Sequence, residues 1–121
     1  MTANATAELL ALLATDRANA PATAAEVRAR MRRDVRKQGY LAKRIAGGTD
    51  LRADLEVFSK TGTWGPIFAD AGIVRHSSGR QLAIAAFVEG KPAYRGSFIA
   101  QFTRAAIAHL LPPPGAAAKL E

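Results

Sequence analysis

The chain has 121 residues, of which 49% are hydrophobic and 22% are charged, and a formal net charge of +7. This composition is typical of one small globular domain. The absence of cysteine excludes disulfides and thiolate metal sites. The sequence contains no run of about 18 apolar residues, the length that a membrane-spanning helix needs. The N-terminal apolar run contains Glu8 and has no basic residue before it, so it predicts an amphipathic helix and not a signal peptide.

Most of the net positive charge comes from one basic segment, residues 28–44. Such a segment could bind nucleic acid through its phosphates. No aromatic residue precedes Tyr40 within it, so the side chains on which single-stranded bases stack are missing. We therefore interpret the segment as a solvated helix face and predict no nucleic-acid partner, and a non-catalytic module that binds nucleic acid or acidic partners is the alternative. Its basic residues are Arg28, Arg30, Arg32, Arg33, Arg36, Lys37, Lys43 and Arg44.

Two helices are predicted before residue 40. Leucines among alanines indicate a helix over residues 6–15. A second helix is predicted over residues 22–38, with Thr23 as its N-cap and Glu26 completing a capping box. It should end at Gly39, since glycine readily takes the left-handed conformation that terminates helices. The apolar stripe of this helix consists of Val27, Met31 and Val35.

Three strands and a last helix follow. Apolar and β-branched runs predict strands over residues 55–62, 69–76 and 81–88, the last two joined by a hairpin turn at residues 77–80. A final helix is predicted over residues 97–111, closed by three prolines. Its inward residues are expected to be Phe98, Phe102, Ala105, Ala106 and Ile107. The fold class is therefore α+β, an antiparallel three-stranded meander packed with helices that cover one face. Residues 1–115 form the domain, and residues 116–121 resemble a vector-derived tail.

One motif on the first of these strands resembles a known signature. Lys60-Thr61-Gly62, followed by Thr63-Trp64-Gly65, resembles the third motif of the serine β-lactamase and penicillin-binding-protein superfamily. An aspartate, Asp70, then lies at the start of the next strand, and a Gly-Arg turn precedes the third, as is often seen in that family. The resemblance extends over residues 6–111 and is closest to the class A enzymes. It implies a C-terminal segment of the β-lactamase/transpeptidase-like fold.

The resemblance implies a substrate-binding role for five residues. Lys60 and the hydroxyl of Thr61 would hold the substrate carboxylate or help to move a proton. Gly62 would let the backbone approach the substrate, and the N–H of Thr63 would form half of an oxyanion hole. Arg44 lies where some class A enzymes keep a second carboxylate-binding arginine. The substrate of the full-length protein would be a β-lactam or a D-Ala-D-Ala-type peptide. Outside this pattern, Lys60 would be a solvated strand residue, Thr61 a residue that favours strands, and Arg44 part of the basic surface.

The covalent machinery of that family is missing. Its nucleophile is the serine of a Ser-x-x-Lys motif, and no serine of this chain has a lysine three residues later. The Ser-Asp-Asn element and the deacylating glutamate are absent too. We therefore predict no catalytic residue in this chain and no activity of the chain alone. A D-alanyl-D-alanine peptidase segment is the alternative within the superfamily. The four serines are Ser59, Ser77, Ser78 and Ser97.

The two histidines of the chain give no indication of a metal site. His76 and His109 lie far apart without acidic neighbours at ligand spacing, so no metal or cofactor is predicted. We expect His76 on the surface and His109 to interact with the dipole at a helix C-terminus. In the full family fold, further elements would cover apolar surface that is exposed in this chain. We therefore predict that the chain forms a homo-oligomer or pairs with a complementary fragment. By resemblance, the full-length protein would be periplasmic or secreted.

Overall fold

A computed structural model describes residues 2–17, 20–34, 39–90 and 97–114. Its elements confirm the α+β class. The helices are α1 (Ala3–Ala14), α2 (Pro21–Met31) and α3 (Phe98–Leu110), the strands are β1 (Arg32–Arg33), β2 (Leu55–Trp64), β3 (Ile67–His76) and β4 (Gln81–Glu89), and two 3-10 helices span Gly39–Lys43 and Ile45–Thr49.

The strands form one sheet in the order β1-β2-β3-β4, and all neighbours are antiparallel. The meander of β2, β3 and β4 is the predicted one, and β1 adds a fourth, short strand. The prediction of a helix over residues 22–38 was wrong at Arg32 and Arg33, because these residues pair with Phe58 and Val57 of β2. Pairing with a distant strand overrides the local helix propensity here. Residues 35–38 lie outside the described residues.

The start of α2 also differs from the prediction. The helix begins at Pro21, and its N-cap residue is Ala20, which makes no side-chain capping bond. Proline suits the first helical position because its φ is already fixed near the helical value and its missing N–H would have no partner there. Thr23 lies inside the first turn, so the predicted capping box does not form.

Helices cover both faces of the sheet, where we predicted only one. Neighbouring residues of a strand point to opposite faces, so Val57 and Phe58 enter different apolar clusters. The cluster on the α3 face contains Ile45, Leu55, Val57, Val74, Ile84, Ala86, Ile99, Ile107 and Leu111. The cluster on the face of α1 and α2 contains Leu10, Leu13, Ala24, Phe58 and Ile73.

The inward face of α3 is rotated from the predicted one. Ile99, Thr103 and Ile107 are buried, whereas Phe98 and Phe102 are 54% and 47% exposed and stack on each other with ring centroids 6.3 Å apart. The sequence prediction placed both phenylalanines in the core because of their apolarity. The sheet instead packs against the smaller residues one position further along each turn, which leaves two aromatic rings on the surface.

The predicted surface position of His76 was also wrong, because the side chain is buried. Its Nε2 lies 3.1 Å from a carboxylate oxygen of Asp54, and its Nδ1 lies 2.8 Å from the hydroxyl of Ser78. The amide of Ser78 donates to Nδ1, so that nitrogen accepts and Nε2–H donates to Asp54. Two hydrogen bonds from Arg52 hold the pKa of Asp54 below its usual range. This polar cluster closes the end of the β2–β3 pair.

Candidate functional site

The Lys60–Thr63 motif lies on a strand edge that is open in the described part of the chain. β1 pairs only with Val57 and Phe58, and β2 continues to Trp64. The C-terminal half of β2 therefore has β3 on one side and, among the described residues, no strand on the other. An open strand edge offers backbone donors and acceptors to a ligand.

The hydrogen-bond alternation decides which backbone groups face this open edge. The amide of Ser77 donates to the carbonyl of Asp54, 3.0 Å away, at the start of the β2–β3 ladder. In an antiparallel pair every second residue bonds to the neighbouring strand, so the even-numbered residues of β2 bond to β3. The N–H and C=O groups of Thr61 and Thr63 consequently point to the open edge. The carbonyl of Thr61 accepts a hydrogen bond of 2.8 Å from Lys60 Nζ.

The side chains of the motif divide between the two faces of the sheet. Lys60 and Gly62 lie on the face that carries Phe58, and Thr61 and Thr63 lie on the other. Lys60, Gly62 and Thr63 are exposed, and Thr61 is half-buried. A Cβ added at Gly62 would meet no atom within 4 Å. Nothing within the described chain requires glycine at this position, so its space is open to an incoming group.

Arg44, predicted from the resemblance, is brought to the motif by the turn between the two 3-10 helices. Its Nη2 donates to the hydroxyl of Thr63 at 2.7 Å, and its Nη1 donates to the carbonyl of Gly62 at 3.3 Å. The same Nη1 donates to the carbonyl of Ala69 on β3, and the guanidinium carbon lies 3.7 Å from the centroid of the Phe68 ring. Arg44 is only 7% exposed. It therefore joins the ends of β2 and β3 and places a positive charge beside the motif.

Asp70 supports this arrangement from the neighbouring strand. It is opposite Thr61 in the β2–β3 register, its side chain is buried, and one carboxylate oxygen accepts the amide of Ile45 at 3.0 Å. The other oxygen has no hydrogen-bond partner among the described residues. Asp70 thus fixes the residue that follows Arg44. We did not predict this role, although an acidic residue within an apolar strand was a signal available in the sequence.

The buried carboxyl of Asp70 predicts a pH-dependent stability. Burial raises its pKa, and the amide of Ile45 and the charge of Arg44 only partly oppose this. A carboxyl whose pKa is higher in the folded chain than in the unfolded chain binds protons preferentially when folded, so stability falls as pH rises through the raised pKa. Asp70→Asn does not titrate. The free energy of unfolding of Asp70→Asn should therefore increase relative to that of the wild type as the pH rises from about 4 to about 7.

Urea unfolding of both proteins at the two pH values measures this difference. Asp50→Asn is the matched control, because hydrogen bonds from Arg104 lower the pKa of Asp50. The stability of Asp50→Asn relative to the wild type should therefore fall, not rise, as the pH increases. If the difference in free energy of unfolding between Asp70→Asn and the wild type did not change with pH, burial would not raise the pKa of Asp70, and the prediction would be wrong.

Among the described residues, several arginines before Arg44 contact other groups of the chain. Arg28 forms an ion pair with Asp16, and Arg32 with Glu56 at 3.2 Å. The Nε of Arg33 donates to the buried hydroxyl of Ser59 at 3.3 Å. A groove of about 780 Å³ beside them, at the other end of β2 from the motif, is lined by carboxylates as well as arginines. This mixed charge does not single out phosphate as a ligand.

Neither a metal-binding cluster nor a membrane-spanning helix is present among the described residues. Residues 2–17, 20–34, 39–90 and 97–114 contain no group of three or more side chains able to hold a metal ion. In the same part of the chain, every helix is too short or too polar to cross a membrane.

Known proteins resemble this chain in sequence and in fold. Residues 1–110 match the sequence model of Beta-lactamase2, the beta-lactamase enzyme family. A beta-lactamase from Sphaerobacter thermophilus DSM 20745 superimposes with a TM-score of 0.70 at 26% identity, over 89% of this chain and 40% of that one. A beta-lactamase from Chitinophaga pinensis DSM 2588 does so with a TM-score of 0.67 at 31% identity, over 84% and 38%.

These matches extend over only part of the related proteins. The chain spans about 40% of the length of the two solved structures that it resembles. No curated protein matches it. The match over residues 1–110 nevertheless includes every described element of the fold. The chain belongs to the beta-lactamase enzyme family.

Proposed function

We propose that this chain supplies the substrate-binding strand of a serine β-lactamase-like hydrolase, which opens a β-lactam ring through an acyl-serine intermediate. The observation that carries the proposal is the position of Lys60–Thr63 on the open edge of β2 in a chain of this family. The backbone groups of Thr61 and Thr63 face that edge, where a substrate could lie alongside the strand as an added β-strand.

Each residue of the motif has a chemical role in this proposal. The ammonium of Lys60 and the hydroxyl of Thr61 bind the carboxylate of the substrate, and the open space at Gly62 admits the substrate backbone. The outward N–H of Thr63 donates to the oxygen that becomes negatively charged during acyl transfer. One such donor contributes about 3 kcal/mol of transition-state stabilisation. Arg44 orients Thr63 through its hydroxyl and adds positive charge that favours an anionic substrate.

The chain alone is proposed to be inactive because it provides no activated nucleophile. Ser59 precedes the motif but is buried and bonded to Arg33. Ser77 and Ser78 lie in the turn after β3, at the opposite end of the sheet from the motif, and Ser97 precedes α3. No serine is followed by lysine at the spacing that the family uses. Catalysis would require a serine from the part of the family fold that this chain does not span.

Turnover of a chromogenic cephalosporin, with intact-mass measurement after incubation with penicillin, tests this proposal. We expect no turnover above the buffer rate and no added acyl mass. Ser78→Ala is the control, since Ser78 is the serine hydrogen-bonded to a histidine. A penicillin adduct that disappears in Ser78→Ala would identify a nucleophile that the proposal excludes.

The alternative within the superfamily is a segment of a D-alanyl-D-alanine peptidase, which shares the motif. The two solved structures described above are both beta-lactamases, which favours the hydrolase. We further propose that the full-length protein works in the periplasm or outside the cell, as the resemblance implies.

A further inference from the structure

The buried carboxyl of Asp70 has one oxygen that the fold does not use. Its Oδ2 accepts the amide of Ile45, whereas Oδ1 is buried without a hydrogen-bond partner among the described residues. A buried acceptor without a donor costs free energy, so such a group in a folded protein calls for an explanation. Asp70 is only 1% exposed, and elements of this chain bury it, whatever else the family fold adds.

The sheet register places the hydroxyl of Thr61 opposite this carboxyl. Asp70 on β3 pairs with Thr61 on β2, and both side chains point to the α3 face, as Val57 and Val74 do. Even-numbered residues of β2 carry the ladder hydrogen bonds, so Thr61 and Asp70 form a non-hydrogen-bonded pair, in which side chains lie closer. Their Cβ atoms should be about 5 Å apart. Rotation of Thr61 about χ1 can then bring its hydroxyl to Oδ1 of Asp70.

The charged groups that act on Asp70 are both arginines. They are Arg44, between the two 3-10 helices, and Arg33 of β1. The neighbouring strands present Thr61 and Ala86 to it, and the 3-10 helix Ile45–Thr49 is uncharged. The buried residues of α3 are uncharged too: Ile99, Ala100, Thr103 and Ile107. The charge of Asp70 itself is therefore the one that pH can change at this place.

We propose that Asp70 is a positioning residue that controls whether the hydroxyl of Thr61 is available to the substrate carboxylate, a proposal that rests on the substrate-binding role of this strand. An ionised Asp70 accepts the hydroxyl hydrogen of Thr61 and turns it away from the substrate. A protonated Asp70 instead donates to the oxygen of Thr61, and the hydrogen of Thr61 is then free for the substrate carboxylate. The chain therefore binds an anionic substrate together with a proton.

Electrostatics acts in the same direction as these hydrogen bonds. An ionised Asp70 offsets the charge of Arg44 and repels a carboxylate at Thr61, whereas a neutral Asp70 does neither. Burial raises the pKa of Asp70, so this carboxyl takes up its proton nearer to neutral pH than an exposed aspartate does. An anionic ligand should therefore bind more tightly as the pH falls, until Asp70 is fully protonated.

The contact between Asp70 and Thr61 is tested without ligand. Three-bond NMR couplings from the methyl carbon of Thr61 to its backbone nitrogen and carbonyl carbon report χ1 between about pH 4.5 and about pH 7. We expect the χ1 population to change in the wild type and to stay constant in Asp70→Asn, whose amide can donate to Thr61 at every pH. Thr63 is the control, since Arg44 holds its hydroxyl. A Thr61 χ1 that did not respond to pH would overturn the proposal and leave the substrate-binding role intact.

Binding of benzylpenicillin at the same two pH values tests the consequence for the substrate. We expect the dissociation constant, taken from the amide shifts of Thr61 and Thr63, to be roughly three- to tenfold lower at the lower pH in the wild type. The ligand carboxylate stays largely ionised at both, since an α-carboxyl group has a pKa of about 3.5. Asp70→Asn keeps every other titratable group and should bind at both pH values as the wild type does at the lower one.

A second variant makes this test independent of the folding of Asp70→Asn. Thr61→Val keeps the shape of the side chain without its hydroxyl, and it should lose most of the pH dependence. Equal pH dependence in the wild type and both variants would overturn the role of Asp70. If benzylpenicillin shifted no amide of the motif at either pH, the substrate-binding role itself would be overturned, and this proposal with it.

Discussion

Replacing Arg44 by methionine is expected to lower the free energy of unfolding by about 3 kcal/mol. The guanidinium is buried and donates to the hydroxyl of Thr63 and to the carbonyls of Gly62 and Ala69. Hydrogen bonds from a charged group contribute more than neutral ones, and buried acceptors without a donor are costly. Methionine keeps most of the side-chain volume, so the loss reports mainly the missing hydrogen bonds and the lost contact with the Phe68 ring.

Chemical denaturation measures this effect, and Arg30→Met is the matched control. Arg30 is largely exposed, and its ion pair within the described part of the chain is a long surface contact with Glu26. Its replacement should therefore change stability by less than about 0.5 kcal/mol. A double-mutant cycle of Arg44→Met with Thr63→Val should give a coupling energy of about 1 kcal/mol. Additive effects would show that Arg44 does not hold Thr63.

A second large effect is expected from Gly72→Ala on β3, a loss of about 3 kcal/mol in the free energy of unfolding. A Cβ at Gly72 would lie 2.4 Å from the carbonyl oxygen of Phe58 and 2.7 Å from the Cβ of Ser59. Both obstacles belong to the neighbouring strand, so the β2–β3 pair would have to separate locally just before the motif. Thermal unfolding compares the variant with the wild type.

Gly62→Ala on β2 is the matched control, because its added Cβ would meet nothing. Its stability should stay within about 0.5 kcal/mol of the wild type. If Gly62→Ala proved as destabilising as Gly72→Ala, the space beside the motif would be filled, and the site as described would not exist.

The parts of the fold that depend on local signals were predictable. β2, β3 and β4 alternate with short turns, and the hairpin at residues 77–80 follows from its turn residues. The end of α2 at Met31 was not predictable, because it depends on pairing with Val57 and Phe58 some 25 residues away in sequence. The rotation of α3 about its axis depends in the same way on how its side chains pack against the sheet, and no local sequence pattern determines it.

The candidate site likewise contains residues that the sequence identifies and residues whose roles depend on distant contacts. The tripeptide Lys60-Thr61-Gly62 could be recognised from sequence, and Arg44 could be nominated only through the resemblance. Its contact with Thr63 depends on two 3-10 helices and on the anchoring of Ile45 by Asp70. The burial of His76 likewise depends on Asp54, on another strand end. Side chains that act through distant partners need the fold before their roles can be stated.

The most direct test of a substrate-binding strand is an NMR titration of the isotope-labelled chain with benzylpenicillin at millimolar concentration. We expect the amide signals of Thr61, Gly62 and Thr63 to shift with ligand, and the shifts to be lost in Lys60→Met. Lys43→Met, the loss of another exposed lysine near the motif, should retain them. If the shifts appear elsewhere, or persist unchanged in Lys60→Met, this strand does not bind the substrate.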